Sequence, residues 1–345
     1  DAPQSAKKLA YWRKLFTRRG MCEQWIAAAD DDDRLRGDVN HIGSWSQRCS
    51  HSKPNTANIA SASYGPEGLL MGLEGMYGWD SRRAWTIKTN MRPPTDKPMV
   101  YEGGFETSED TQKFLEMYRK YGRVLIGCDA EGIQLRALAH YMGDKEYMDA
   151  VANGDKKLKT DVHNINLKLT KGILADRDMA KTFIYAFLLG AGLYKMGVIA
   201  NAPVGKEVEV GKKLKETFLD ELPALDRLKS KGPKHTKLGW FKGLDGRRVP
   251  VPSNHLFLTA LLQSFEAIIM KEFYNKTCAY LRNRNLDAFI VGFVHDEIQV
   301  DCKVEDAPEV ARALPKIMTK VGESLGSRIR IDGNSQVGLS WADSH

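Results

Sequence analysis

The chain has 345 residues, 42% of them hydrophobic, enough to bury more than one core at ~100 to 200 residues per domain. Its 51 basic and 44 acidic residues give a net charge of +7, which favours a polyanionic partner without requiring one. No apolar run approaches the ~18 residues of a bilayer span and the first residues lack a charged-then-apolar leader, so neither a membrane span nor a signal peptide is expected, and a soluble protein is.

In chain order, residues 6–28 place Leu9, Trp12, Leu15 and Phe16 at helical spacing with basic residues between them, predicting an amphipathic helix. Asp30 to Asp33 break that pattern as a solvated turn. From Gly37 to Gly104, Gly, Pro, Ser and Asn are frequent, predicting short strands and loops. The apolar, β-prone run RVLIGC (123–128) presents Asp129 at a strand end. Helical patterns fill Gln134 to Leu228, KGLDGRRVPVP (242–252) predicts a hairpin around its D-G turn, and a long helix is expected from Phe257 to Arg282. The strand DAFIVGFV then runs through His295, Asp296 and Glu297 into the strand IQVDC, which puts Asp296 and Glu297 in a tight turn. Cys22, Cys49, Cys128, Cys278 and Cys302 are scattered without a C-x-x-C pair. That fits a reducing, intracellular setting, and Cys49 with His51 lacks the second pair of a zinc site.

Phosphoryl transfer asks little covalent chemistry of a protein but needs metal ions fixed by hard carboxylates. Asp129 and Asp296, 167 residues apart, are such a pair if the fold brings them together. Either one alone reads equally as a strand-end cap or a surface acid. In RDMAKTFIYAFLLGAG (177–192), Arg177, Lys181 and Tyr185 fall four apart and share one helical face. The two cations suit a triphosphate and the ring suits a sugar or base. A basic surface helix with Tyr185 in the core is the competing reading.

DAEGIQLR (129–136), RDMAKTFIY (177–185) and VHDEIQV (294–300) occur in this order and together resemble motifs A, B and C of family A DNA polymerases. VNHIGSWSQRCSHSKPNTANI (39–59) and SRRAW (81–85) resemble further family segments, and TFIYAFLLGAG, KGLDGRRV, TALLQSFEAII and the closing WADSH are similar to the phage replicative branch. The resemblance runs from about residue 6 to the end. It implies an α+β right-hand polymerase fold with an antiparallel-sheet palm and helical fingers. Residues 1–36 would be a thumb remnant, 37–139 the first part of the palm with an insertion at 86–118, 140–249 the fingers and 250–345 the second part of the palm.

The implied activity is template-directed addition of dNTPs to a primer 3′ end through two Mg2+ ions, with Mn2+ able to substitute. Asp129, Asp296 and the Ala130 carbonyl would hold the ions, with Glu297 in support. Arg177, Lys181 and His163 would grip the triphosphate, although His163 reads equally well as a structural histidine. Tyr185 would stand where the family senses the sugar 3′-hydroxyl, implying tolerance of dideoxynucleotides. Gln263 and His295 would touch the primer terminus and nascent pair, and Arg48, Asn55, Asn58 and Arg83 the duplex path. Primer-template DNA and dNTPs are the implied partners. With no room for an exonuclease or full thumb, this chain is expected to lack proofreading of its own, unless a separate polypeptide supplies the exonuclease and thumb, and to be weakly processive without such a partner or a processivity factor. The chain begins at Asp1, so processed product, split-gene subunit and fragment all remain open. A cytoplasmic location is implied, in the host if the gene is viral.

The chain also departs from the family pattern. Gln134 stands where motif A usually carries Glu, the residue whose bulk excludes a ribose 2′-hydroxyl; glutamine fills nearly the same volume, so ribonucleotides should stay disfavoured. Leu189 replaces a usual tyrosine at the end of the fingers helix, Thr259 a usual asparagine, and Glu131 a small residue. A single-subunit RNA polymerase shares part of this plan, but Glu297 directly after Asp296 and the bulky Gln134 argue against it. A silent primer-template binding subunit would not need the two acids.

Overall fold

The computed structural model describes residues 4–94, 97–101 and 103–345. Residues 1–3 of the expected thumb remnant, and 95, 96 and 102 of the expected insertion, lie outside the described residues.

A four-stranded antiparallel sheet organises the site. Its strands are β1 (Arg123–Ala130), β2 (Ala288–Val294), β3 (Glu297–Lys303) and β4 (Gly333–Gly338), in the order β4-β1-β3-β2. Central β1 explains the continuous apolar run in its sequence. Val124, Ile126 and Cys128 alternate onto one face, fully buried in the main core, while Leu125 points to the other face with Trp25, Ile59 and Trp341. The helices Phe257–Asn283 and Ala307–Ser324 pack together and against the sheet.

Two backbone features fix how the strands present their ends. β2 and β3 are joined by the two-residue turn His295-Asp296, with His295 at φ 53°, the left-handed conformation that tight hairpins demand. Glu297 therefore opens β3 rather than sitting in the turn. A Cβ at Gly127 would meet the Ser344 carbonyl oxygen at 1.8 Å, so only glycine lets the closing segment lie directly against β1.

Between β1 and β2, eight helices run from Ile133 to Leu238, followed by the hairpin Trp240–Lys242 and Arg248–Pro250, one or two residues from its expected place. Asp144, Asp161 and Asp176 cap three of the helices by accepting backbone N–H bonds, each worth ~1 kcal/mol. The region expected to hold short strands has them at Asp38–Asn40, Ser50–Ser52, Ser63–Gly65 and Gly68–Leu70, plus an unanticipated helix at Gly78–Arg83. Within residues 86–118, the helix Ser108–Tyr118 buries Phe114 and Tyr118 completely, and the Tyr101 N–H donates to the Val337 carbonyl at 2.9 Å. This segment thus extends the core past the β4 edge.

The first helix spans Gln4–Ala28, as its periodicity predicts. Its apolar stripe is nonetheless not buried: Leu9, Trp12 and Phe16 are 57–61% exposed, and the helix reaches a core near its end, through buried Trp25, edge-on to Trp85 at 5.3 Å, and half-buried Met21. Docking at one end leaves the stripe near the other end in solvent.

Candidate active site

The two aspartates converge through backbone pairing. Asp129 lies opposite Glu297 in the β1–β3 ladder, and the Ala130 N–H donates to the Asp296 carbonyl at 2.9 Å. Burial, then the neighbouring charge of Asp296, pushes the Asp129 carboxyl up to about 8. Burial raises Asp296 too, only partly offset by a backbone hydrogen bond and Arg48. Arg82 lies within electrostatic reach of Glu297 and Asp129, but the nearby ion pair of Arg48 is made to Glu266. The carboxylates are therefore a pair of like charges short of a cation.

Their donor chemistry suits magnesium. Among the described residues no group of three or more His, Cys, Asp or Glu is gathered to hold a metal unaided. Two carboxylates and a carbonyl leave the rest of an octahedral shell to waters and phosphates, which is how magnesium is usually held at phosphoryl-transfer sites.

A stability consequence follows from Asp129. Its folded value lies above the ~3.9 of an unfolded chain, so the native state binds the proton more tightly and loses stability as pH rises from about 4 to about 8. In chelator, Asp129→Asn should be more stable than wild type at pH 8 by on the order of 2 kcal/mol, after allowance for solvent screening, with a smaller gain at pH 5. Thermal melts check this, and Mg2+ should narrow the gap by stabilising wild type alone.

Glu297 has a different environment. It is 4% exposed and accepts from Trp341 Nε1 at 2.9 Å and from Gln299 Nε2, while His345 Nδ1 lies 2.8 Å from its other oxygen. The closing segment thus ties this acid down beside the aspartates.

The helix Arg177–Leu188 buries Ala180, Phe183, Ile184 and Phe187 in the main core, packs the half-buried Tyr185 against that core, and leaves Arg177 half-buried. Burial raises the Tyr185 phenol, and Asp296 and Asp129 add to the shift, so the phenol lies within electrostatic reach of both acids. Lys181 is exposed. Arg177 forms a forked pair with Asp161, with Nη2 at 3.0 Å and Nε at 3.2 Å. Burial would raise that carboxyl, but Arg177, Asn164 and the His163 N–H outweigh it and bring Asp161 down to about 2. His163 is buried, its Nδ1 has no partner among the described residues and its ring centroid is 6.1 Å from Tyr185. Burial and then Arg177 lower its imidazole to about 4, so it is neutral at physiological pH.

Of the other expected residues, Arg48 and His295 lie within electrostatic reach of Asp296, and Gln134 reaches the same region through Glu266. Arg48 pairs with the fully buried Glu266, and Gln134 Nε2 donates to Glu266 Oε2 at 3.3 Å. Gln263 is one helical turn before Glu266 and half-buried. His295, lowered by burial and then by Arg48, sits in the turn that carries Asp296. Asn55 and Asn58 are exposed on a separate short turn, where the Asn55 side chain accepts from the Ala57 N–H. Arg83 stacks over Trp79 at 5.2 Å and donates to the Pro94 carbonyl; the adjacent Arg82 is the one electrostatically coupled to the acids.

Sequence reading missed Glu266, Asp161 and Arg82. Each had a signal: Glu266 is the lone acid in the apolar run FLTALLQSFEAIIM, Asp161 holds the N-cap position before His163, and Arg82 neighbours Arg83 in SRRAW.

Residues 2–343 match the profile described as DNA polymerase family A. The chain belongs to that family. Family A relatives include the DNA-directed DNA polymerases of Enterobacteria phage T3 and Escherichia phage T7, each 33% identical over 93% of this chain and 42% of their own length. The chain therefore spans less than half of these curated relatives. Among solved structures, the POL domain of Pol1 from M. smegmatis, in complex with DNA primer-template and dNTP, superposes with a TM-score of 0.69 at 16% identity, covering 93% of this chain and 50% of that one. Its similarity bears on fold: the family A sheet and helices described above form a right-hand polymerase fold. No helix among the described residues is long and apolar enough to cross a membrane.

Proposed function

We propose that the chain adds deoxynucleotides to a primer 3′ end under the direction of a template strand. The observation that carries this reading is the joining of Asp129 and Asp296 through the Ala130–Asp296 backbone bond, within electrostatic reach of Tyr185 on the helix that also carries Lys181 and Arg177. In this reading residues 140–249 act as fingers, 37–139 (with an insertion at 86–118) and 250–345 as palm, and 1–36 as part of a thumb.

Asp129, Asp296 and the Ala130 carbonyl would hold two magnesium ions, or manganese in their place. When bound, these ions polarise the attacking hydroxyl and neutralise charge developing on the phosphates. Lys181 meets the triphosphate as an unencumbered point charge, and Arg177 joins it while staying oriented by Asp161. Neutral His163 donates or accepts without adding charge. Tyr185 packs against the sugar, while Gln134 occupies the side of the site nearest Glu266. Glu297, held by Trp341, Gln299 and His345, keeps the β2–β3 turn and its aspartate in place. Closure of the Arg177–Leu188 helix on a matched pair would exclude water and couple base-pair shape to the chemical step.

Primer-template DNA and dNTPs are the proposed partners; the superposed mycobacterial polymerase domain is in complex with both. The test is extension of a labelled primer on templates of defined sequence. Incorporation only of the complementary dNTP, and only with Mg2+ or Mn2+, is the expected outcome. Template-independent addition, or preference for NTPs, would overturn the proposal in favour of another transferase.

A further inference from the structure

A carboxylate in the middle of an apolar helix has a high desolvation cost. Glu266 is such a group: it has 0% exposure, with Phe265, Ala267, Ile268 and Ile269 buried around it in sequence. An apolar residue would serve the helix better if packing were its only task. Its Oε2 instead receives two side chains from distant parts of the chain, the Arg48 guanidinium and Gln134 Nε2 at 3.3 Å. These come from the segment before the Ser50–Ser52 strand and from the first turn of the helix after β1. Around this junction Glu266 Oε1, Gln134 Oε1 and Arg48 Nε are buried without partners among the described residues, so the cluster keeps hydrogen-bonding capacity in reserve.

We propose that Glu266 is a positioning residue for sugar selection: it supplies, from the Phe257–Asn283 helix, the carboxylate that position 134 lacks, and so holds Gln134 and Arg48 in the geometry that excludes a ribose 2′-hydroxyl. This rests on the polymerase reading above. A glutamine at position 134 has no charge with which to hold Arg48. Moving the carboxylate across the contact keeps the ion pair with Arg48 and leaves the amide of Gln134 fixed as a donor. The side chain at 134 is then held at one end by Glu266, and its bulk stays where a 2′-hydroxyl would fall.

The experiment is single-turnover incorporation of dCTP and CTP opposite the same template G, in wild type, Glu266→Gln, Gln134→Glu and the double exchange. E266Q is near-isosteric; it removes the charge and turns one acceptor oxygen into a donor. It should raise CTP relative to dCTP incorporation roughly tenfold, the size of effect a loosened steric contact allows, while Tm and primer-template affinity stay near wild type. Q134E sets two carboxylates against one arginine and should slow dCTP incorporation roughly tenfold. The double exchange, which again has one carboxylate and one amide, should restore the wild-type dCTP to CTP ratio within about threefold. A ratio within twofold of wild type in E266Q, or a double no better than either single, would overturn the inference. Should E266Q fail to fold, the double decides: a folded double with lost discrimination overturns the inference, and one with wild-type discrimination upholds it. A wild-type protein that incorporates neither nucleotide would sink the polymerase reading itself.

Discussion

Replacing Asp296 by alanine should cut nucleotide incorporation by on the order of 10³-fold or more, leaving primer-template affinity within a few-fold of wild type. Asp296 sits in a two-residue turn whose carbonyl already holds the Ala130 N–H. Shortening the side chain leaves that backbone bond and the sheet intact, so the loss falls on the site rather than the fold. Burial disfavours the charge of this acid in the folded chain, and its removal should not lower Tm in chelator. A subunit that only bound DNA would have no metal-dependent extension to lose. Gel-based extension alongside fluorescence-anisotropy binding separates the two readings.

Lys181→Ala should lower the efficiency of dNTP incorporation by ~10²–10³-fold, as loss of one electrostatic stabiliser of a developing oxyanion does. Arg177→Ala should cost less, roughly tenfold, because Asp161 already neutralises much of its charge and holds it at 3.0 Å. The order of these two effects is itself informative. Arg177→Ala also releases Asp161, whose carboxyl is held down to about 2 chiefly against burial by that arginine, so its variant should lose stability on the order of 1 kcal/mol at neutral pH. Lys181 is exposed, and its removal should be silent in a melt. Pre-steady-state kinetics with a single correct dNTP, paired with thermal melts, measure both quantities.

Much of the site was legible because the acids lie at the ends of strongly β-prone runs and the cations repeat every four residues on one helix. Period and strand-end position are local properties, and RVLIGC and RDMAKTFIY carry them in full. Family resemblance then joined elements 167 residues apart that periodicity alone could not connect. Glu266 shows in the sequence only as a lone acid in an apolar helix, and its role was illegible because that acid has meaning only through Arg48 and Gln134, which the fold delivers from elsewhere. The ion pair of Arg177 with Asp161 depends in the same way on the packing of two helices. The first helix shows the limit of amphipathic patterning, since Trp12 and Phe16 follow the period yet remain in solvent. Periodicity reports a face but not what covers it.

The most direct measurement is Mn2+ binding by electron paramagnetic resonance, on a complex with a dideoxy-terminated primer, template and matched dNTP. Wild type should bind two ions, and Asp129→Asn with Asp296→Asn should abolish both protein-dependent sites while the complex stays assembled. Equal manganese binding by wild type and the double variant would show that these carboxylates do not form the metal centre.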